Sequence, residues 1–268
     1  MSLAAGRQGA AIACGALLRR DLRGVLRSRS QLYSSMLFPL ILLAVLGTGV
    51  SEGLDPSHVR DGDYVTFLVP GVMAMTLLFS STFSSASYYH DRDSGLLRVM
   101  LASPQTPAVI LTGKALAGVT IGSLQALIVL GVVSVLPGID LEWQYGVAGG
   151  VGLTLVALLL LALLLNGFAQ LLATRIRTMQ GFHLVMNLLL FPLLFVSGAF
   201  FPIDELPAWL KALAYANPIT YAVDLLQLSL YAESSDGFIG IPIDLAVLGA
   251  LSVALFLGGV RRDPGALP

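Results

Sequence analysis

GVAGGVGLTLVALLLLALLLNGFAQLLA, residues 146–173, contains no charged side chain. An α-helix rises 1.5 Å per residue, so about 20 apolar residues cross a hydrocarbon core roughly 30 Å thick. Residues 146–173 exceed that length, and their natural solvent is lipid. Five further stretches qualify, at residues 31–51, 64–88, 108–136, 178–201 and 238–260, the last with Asp244 near one end. Composition agrees. Hydrophobic residues make up 56% of the 268-residue chain and charged residues only 12%, against roughly 25% charged in an average soluble domain. So few charges cannot cover the surface of a soluble protein of this size. The expected fold is an all-α integral membrane protein, with six transmembrane helices bundled over residues 31–260.

The cations fall on one side of this bundle. With the N-terminus in the cytoplasm, the inside segments hold Arg7, Arg19, Arg20, Arg23, Arg27, Arg29, Arg92, Arg98, Lys114, Arg175, Arg177, Arg261 and Arg262. Only Arg60 and Lys211 fall outside. Such a bias predicts cytoplasmic N- and C-termini. Ahead of the first span, residues 11–30 place Leu18, Leu22, Val25 and Leu26 on one helical stripe. Arg19, Arg20, Arg23 and Arg27 occupy the rest of the circumference. That pattern predicts an amphipathic helix on the inner leaflet, its arginines among anionic head groups. It serves as a topology anchor, or also touches a cytoplasmic partner.

Several classes are excluded. A net charge of −1 argues against a nucleic-acid partner, which phosphate neutralisation would require to be met by a basic surface. Cys14 is the single cysteine, so no intrachain disulfide or multi-thiolate metal site forms. No cleavable signal peptide is expected: six arginines lie in the first thirty residues, with no small-residue cleavage site after a compact apolar run.

Two segments carry more pattern than a connector needs. Residues 88–107, YYHDRDSGLLRVMLASPQTP, cluster their charges and then run through Leu96, Leu97, Val99, Met100 and Leu101 to Ser103-Pro104. Proline ends a helix, so a short helix with defined limits is expected on the cytoplasmic side. Residues 202–231 are apolar but broken by Pro202, Pro207 and Pro218 into pieces too short to span. Trp209, Tyr215, Tyr221 and Tyr231 suit the headgroup zone. An extracytoplasmic re-entrant helical hairpin between spans five and six is the expectation, hinged at Asn217-Pro218 because proline biases Asn217 away from helical geometry.

Asp91-Arg92-Asp93, Gly95-Leu96-Leu97 and Ser103-Pro104 resemble the first cytoplasmic loop of ABC-2 type permeases. SGAFFPIDELPAWLKALAYANPITYAVD, from residue 197, resembles that family's signature near its fifth span. Length, topology and the N-terminal helix extend the resemblance over nearly the whole chain, closest to the daunorubicin-resistance and nodulation-factor export branch. One position departs: many members carry an acidic residue where this chain has Arg98.

The resemblance implies a permease subunit of an exporter for an amphiphilic substrate (drug-like, lipid or glycan-linked) in a bacterial or archaeal cytoplasmic membrane. Two permeases, identical or paired with a close relative, would assemble with two cytoplasmic ATPase subunits. The ATPases would meet Asp91, Arg92, Asp93, Gly95, Leu96, Leu97 and Arg98, and the N-terminal helix. Phe200, Pro202, Pro207, Trp209, Asn217, Pro218 and Tyr221 become candidates for an outer gate. No phosphate-binding G-x-x-x-x-G-K-[ST] motif occurs, Gly113-Lys114-Ala115 lacking its spacing and hydroxyl. ATP and magnesium are therefore expected on the partner, no cofactor on this chain, and no enzymatic activity of its own.

Asn166 and Gln170 on span four, and His183 and Asn187 on span five, are i, i+4 pairs expected to face the protein interior. They either bond between helices, at about 0.6 kcal/mol each, or line a polar substrate path. No second ligand accompanies His183 at metal-binding spacing. Thr76, Ser80 and Ser84, and the Gly118–Gly122 pair, are small-residue surfaces for close helix approach. A stand-alone secondary transporter would favour inverted repeats with buried carboxylates, and no such repeat is visible. A membrane-embedded lipid-modifying enzyme would need more than His90, Asp91 and Asp93 at one interface.

Overall fold

The computed structural model describes residues 3–51, 64–103, 106–136, 139, 143, 145–231 and 239–261. Arg60, Pro104, Arg262 and the 232–238 stretch lie outside the described residues. Among the described residues every regular element is helical: α1 Leu3–Arg27, α2 Arg29–Ser51, α3 Tyr64–Asp93, α4 Leu96–Leu101, α5 Pro107–Val133, α6 Gly146–Ala173, α7 Met179–Val196, α8 Ala208–Ala216, α9 Pro218–Leu230 and α10 Ile241–Val260. A short 3-10 turn, Ile203–Glu205, precedes α8.

Helices α3, α5, α6, α7 and α10 are long and apolar enough to cross a membrane. The apolar part of α2 within the described residues, Leu32–Gly47, is shorter. The chain is a multi-pass membrane protein. Helices α2, α3 and α7 run through Pro39, Pro70 and Pro192 without ending. Neighbouring helices cover Pro39 and Pro70, which are buried, whereas Pro192 is exposed on α7.

At the centre of the bundle lie α3 and α6. From residue 64 to 82, every α3 residue except Val65 and Phe79 is buried, so this helix is enclosed by protein rather than lipid. Its small-residue stripe faces the one on α5. A side chain at Gly122 would press on Leu77 and Ser80, and one at Gly118 on Ser84 and Asn166. Glycine on one helix and serine on the other let the two backbones approach, which gains dispersion contacts that lipid cannot supply. Helix α6 takes α10 along its opposite side, where Gly167 admits the Phe256 backbone and Ser252 Oγ donates to the Leu160 carbonyl at 2.8 Å.

Helix α3 continues to Asp93, so residues 88–93 belong to the helix and only the remainder of 88–107 is a connection. Asp204 and Glu205 sit in the 3-10 turn, and α8 starts without a side-chain cap.

Candidate functional site

The arginine-rich end of the bundle holds a four-residue ion cluster. Lys114 lies eight residues into α5, and its Nζ pairs with Asp91 Oδ2 at the end of α3. The same ammonium stands 3.6 Å from Asp21 Oδ2 on α1 and donates to Ser87 Oγ at 3.2 Å. Arg20 Nη2 reaches both acids, at 2.6 Å from Asp91 Oδ2 and 2.6 Å from Asp21 Oδ1. Two anions and two cations thus close a formally neutral knot among α1, α3 and α5. Burial works against the Arg20 charge, but its bonds to Asp91 and Asp21 outweigh that and hold the guanidinium more firmly protonated than usual. The Lys114 and Asp91 side chains are 4% and 6% exposed. Charges so buried are stable only when paired.

Helix α1 is oriented by this knot. Leu18 and Leu22 are half-buried and Val25 buried, while Arg19, Arg23 and Arg27 are exposed. Arg20 departs from that group, turning inward. Leu17 packs against Gly113 of α5. Cys14, half-buried beside it, has its thiol pushed up by burial.

Arg92 fastens the same end to the turn between α6 and α7. Its Nη2 donates to the Arg177 carbonyl, its guanidinium lies 5.4 Å from the Tyr89 ring centre, and Tyr89 Oη donates to the Ile176 carbonyl at 3.1 Å. Asp91 and Arg92 therefore brace the bundle, and the surface that faces outward is Asp93, Leu96, Arg98 and Val99. Gly95 between the helices has φ +76° with open space where a side chain would stand. That left-handed geometry is where glycine is favoured, and it turns α4 sharply out of the line of α3. Leu97 tucks underneath and is buried. Val99 is 67% exposed.

Between α3, α5 and α6, next to the ion cluster, Ser84, Ser85, Ser87, Lys114, Asn166 and Gln170 border a polar pocket of about 20 Å³. That is room for about one water molecule. Asn166 Nδ2 donates to the Ala162 carbonyl of its own helix at 2.8 Å. Asn166 and Gln170 do face the interior. The other pair splits: His183 is half-buried against Phe83 and Phe182, and Asn187 is exposed.

At the opposite end, residues 198–231 form the two short helices α8 and α9. Tyr64 Oη donates to the Phe200 carbonyl at 3.1 Å, Gln227 Nε2 to the Gly198 carbonyl at 3.2 Å, and Tyr231 Oη to the Thr66 carbonyl. Both ends of the segment are thus tied to the start of α3 or to each other. The break between the helices falls at Asn217, with φ −88° and ψ 118°. Its Oδ1 accepts from Ile219 N at 3.1 Å, capping α9, and its Nδ2 donates to the Leu193 carbonyl of α7 at 2.5 Å. Pro218 occupies the first turn of α9, where its missing N–H leaves no bond unmade. Phe200 is buried and stacks on Phe195, ring centres 4.9 Å apart. Tyr221 Oη donates to the Tyr215 carbonyl at 2.6 Å. Pro202 is half-buried, Pro207 is exposed, and Trp209 stands 65% exposed.

The ABC-2 type transporter family matches residues 12–231, from within α1 to the end of α9. The chain belongs to that family.

Among relatives of this ABC-2 permease, the "Probable multidrug ABC transporter permease YbhR" of Escherichia coli (strain K12) is 31% identical over 168 residues, 62% of this chain and 44% of the relative. The chain thus spans under half the length of that protein. The "Putative transport permease ycf38" of Cyanophora paradoxa is 28% identical over 205 residues, 76% of this chain and 69% of that one. "Nodulation protein J" of Rhizobium meliloti (strain 1021) is 27% identical over 194 residues, 70% of each. The branch expected from the motifs is the one these names describe.

Sequence reasoning missed the ABC-2 permease's ion cluster. Lys114 was visible as a cation within an apolar span, which should have demanded an anionic partner. Which acid supplies it is not written in any local pattern, since Asp21 and Asp91 come from two other helices.

Proposed function

We propose that this permease forms half of the transmembrane pathway of an ABC exporter, driven by ATP hydrolysis in separate cytoplasmic subunits. The observation that carries the proposal is the construction of α4. Its base is locked to the bundle through the α3 end, where Asp91 and Arg92 are both engaged. Its outer face presents Leu96, Arg98 and Val99 away from the rest of the chain. A short rigid knob with an apolar tip suits a groove on another protein and passes that protein's movement to three helices at once.

In this reading α2 is the sixth span, both termini are cytoplasmic, and α1 lies at the inner interface with Arg19, Arg23 and Arg27 toward head groups. Helices α8 and α9 form the re-entrant hairpin at the outer mouth. A second permease, identical or paralogous, covers α7, because an exposed Asn187 in an apolar helix is costly against lipid. The substrate in this reading is amphiphilic, as expected from the resemblance.

Purified alone in nanodiscs, the permease should hydrolyse no ATP; with its cognate ATPase it should support substrate-stimulated hydrolysis. Val99→Glu should abolish that stimulation and leave the permease's thermal midpoint unchanged. ATP hydrolysis by the isolated chain, or full stimulation in Val99→Glu, would overturn the proposal. Lys211→Cys in a Cys14→Ser background should react with impermeant thiol reagents from outside only, and labelling from the cytoplasm would reverse the topology.

A further inference from the structure

A cavity of about 330 Å³ lies in the crook where α1 ends and α2 begins, with α5 behind it. Leu22 and Val25 of α1, Met36 and Leu40 of α2, and Ile121 and Ile128 of α5 stand on its wall, and the surface they present is carbon throughout. Gln125, on the same stretch of α5, is 3% exposed, and its Oε1 is sealed off and unbonded among the described residues. An engineered apolar cavity of roughly 150 Å³ already stays dry and takes up benzene. Water needs about two to four polar partners and finds none on this wall. Hydrocarbon is the occupant that fits.

The cavity has the length of one leaflet. Its wall covers residues 32–40 of α2 and 121–128 of α5. Eight residues of helix extend about 12 Å, against about 15 Å of hydrocarbon in half a bilayer core. A partner's transmembrane helix would need a groove through the full core, roughly 30 Å. Leu22 directly follows Asp21, which faces Lys114, so the cavity starts at the depth of the ion cluster. Beside that mouth α1 is basic. Arg19, Arg23 and Arg27 stand at i, i+4 and i+8, one row along the helix, all exposed and none in an ion pair with a described residue. Leu22 is next to Arg23 and three residues from Arg19, so the row borders the cavity. A guanidinium meets phosphate oxygens with two parallel hydrogen bonds.

We propose that this cavity binds an anionic phospholipid of the cytoplasmic leaflet. One acyl chain lies along Val25, Met36, Leu40 and Ile121, the other stays in the bilayer, and the phosphate meets the arginine row of α1. Carbon walls alone would take the tail of any lipid; the three arginines select the charged one. The bound chain fills the crook and holds α1 against α2 and α5. This site rests on α1 lying at the inner interface, as in the reading above, and is independent of ATP-driven export.

Native mass spectrometry of the full-length permease, released from micelles with added lipid, reads the site directly. Phosphatidylglycerol should be retained over phosphatidylcholine with the same chains. Arg19→Gln, Arg23→Gln and Arg27→Gln should each reduce that preference about fivefold, the effect of one basic residue at an anionic surface. Lysophosphatidylglycerol, with its single chain, should compete for the site, and inorganic phosphate should not. Met36→Trp, which fills the cavity, should release the lipid with the arginines intact. If that variant does not fold, the single-chain lipid and the arginine variants decide. Equal retention of the two phospholipids by wild type, displacement by inorganic phosphate, or full retention in Met36→Trp would each overturn the proposal. Labelling of Lys211→Cys from the cytoplasm would overturn the shared topology and this site with it, whereas equal retention with labelling from outside sinks this site alone.

Discussion

Removing Asp91 should unfold the permease more readily, because it strands a buried ammonium. Asp91→Ala leaves Lys114, 4% exposed, with Asp21 at 3.6 Å and the Ser87 hydroxyl as its remaining partners among the described residues. Breaking a buried pair from one side costs about 3–5 kcal/mol. The surviving Asp21 places this case at the lower end, near about 3 kcal/mol. Lys114→Met should cost less, about 2 kcal/mol, since Asp91 keeps Arg20 at 2.6 Å and that guanidinium is partly solvated. The double variant removes both buried charges and leaves Arg20 paired with Asp21 at 2.6 Å. It should be no worse than the more damaging single change, giving a coupling energy of about 2 kcal/mol. Reversible unfolding in mixed micelles, followed by circular dichroism, measures all three. Additivity within about 0.5 kcal/mol would refute the knot as the bond between α1, α3 and α5. So would an Asp91→Ala protein that keeps wild-type stability and loses only ATPase coupling, the outcome expected if Asp91 faced a partner.

Gly118→Leu should force α5 away from α3 and α6, because even the first added atom would meet Ser84 and Asn166; overpacking of this kind costs about 1–3 kcal/mol, and an unchanged thermal midpoint would contradict the close approach. Gly95→Ala meets no neighbour but must hold φ +76°, so a loss of about 1 kcal/mol is expected, with Gly95→Asn milder; equal stability of all three would show that α4 does not need that turn. Asn217→Ala removes the α9 cap and the bond to Leu193, at about 1–2 kcal/mol, and Asn217→Asp should recover only the cap's share. Hydrogen exchange at the start of α9 reports this directly, and unaltered protection there would count against the cap.

The membrane character of this protein, the approximate limits of its long apolar helices, and the break at Asn217-Pro218 are written locally. Each follows from properties one segment has by itself: length against bilayer thickness, absence of charge, and the stereochemistry of proline. The small-residue stripes on α3 and α5 were legible for the same reason, though not that each would find the other. Pairing was decided by tertiary structure. Arg20 read as facing the head groups from the helical stripe, and Asp91 as facing a partner from the resemblance, yet Asp91 turns in to the buried Lys114 of a third helix and Arg20 follows it to Asp91 and Asp21. Asn187 read as inward because an amide avoids lipid, yet α7 leaves it uncovered within one chain. A charge inside a membrane protein takes its meaning from what the fold sets against it, and a sequence names the charge but not its partner.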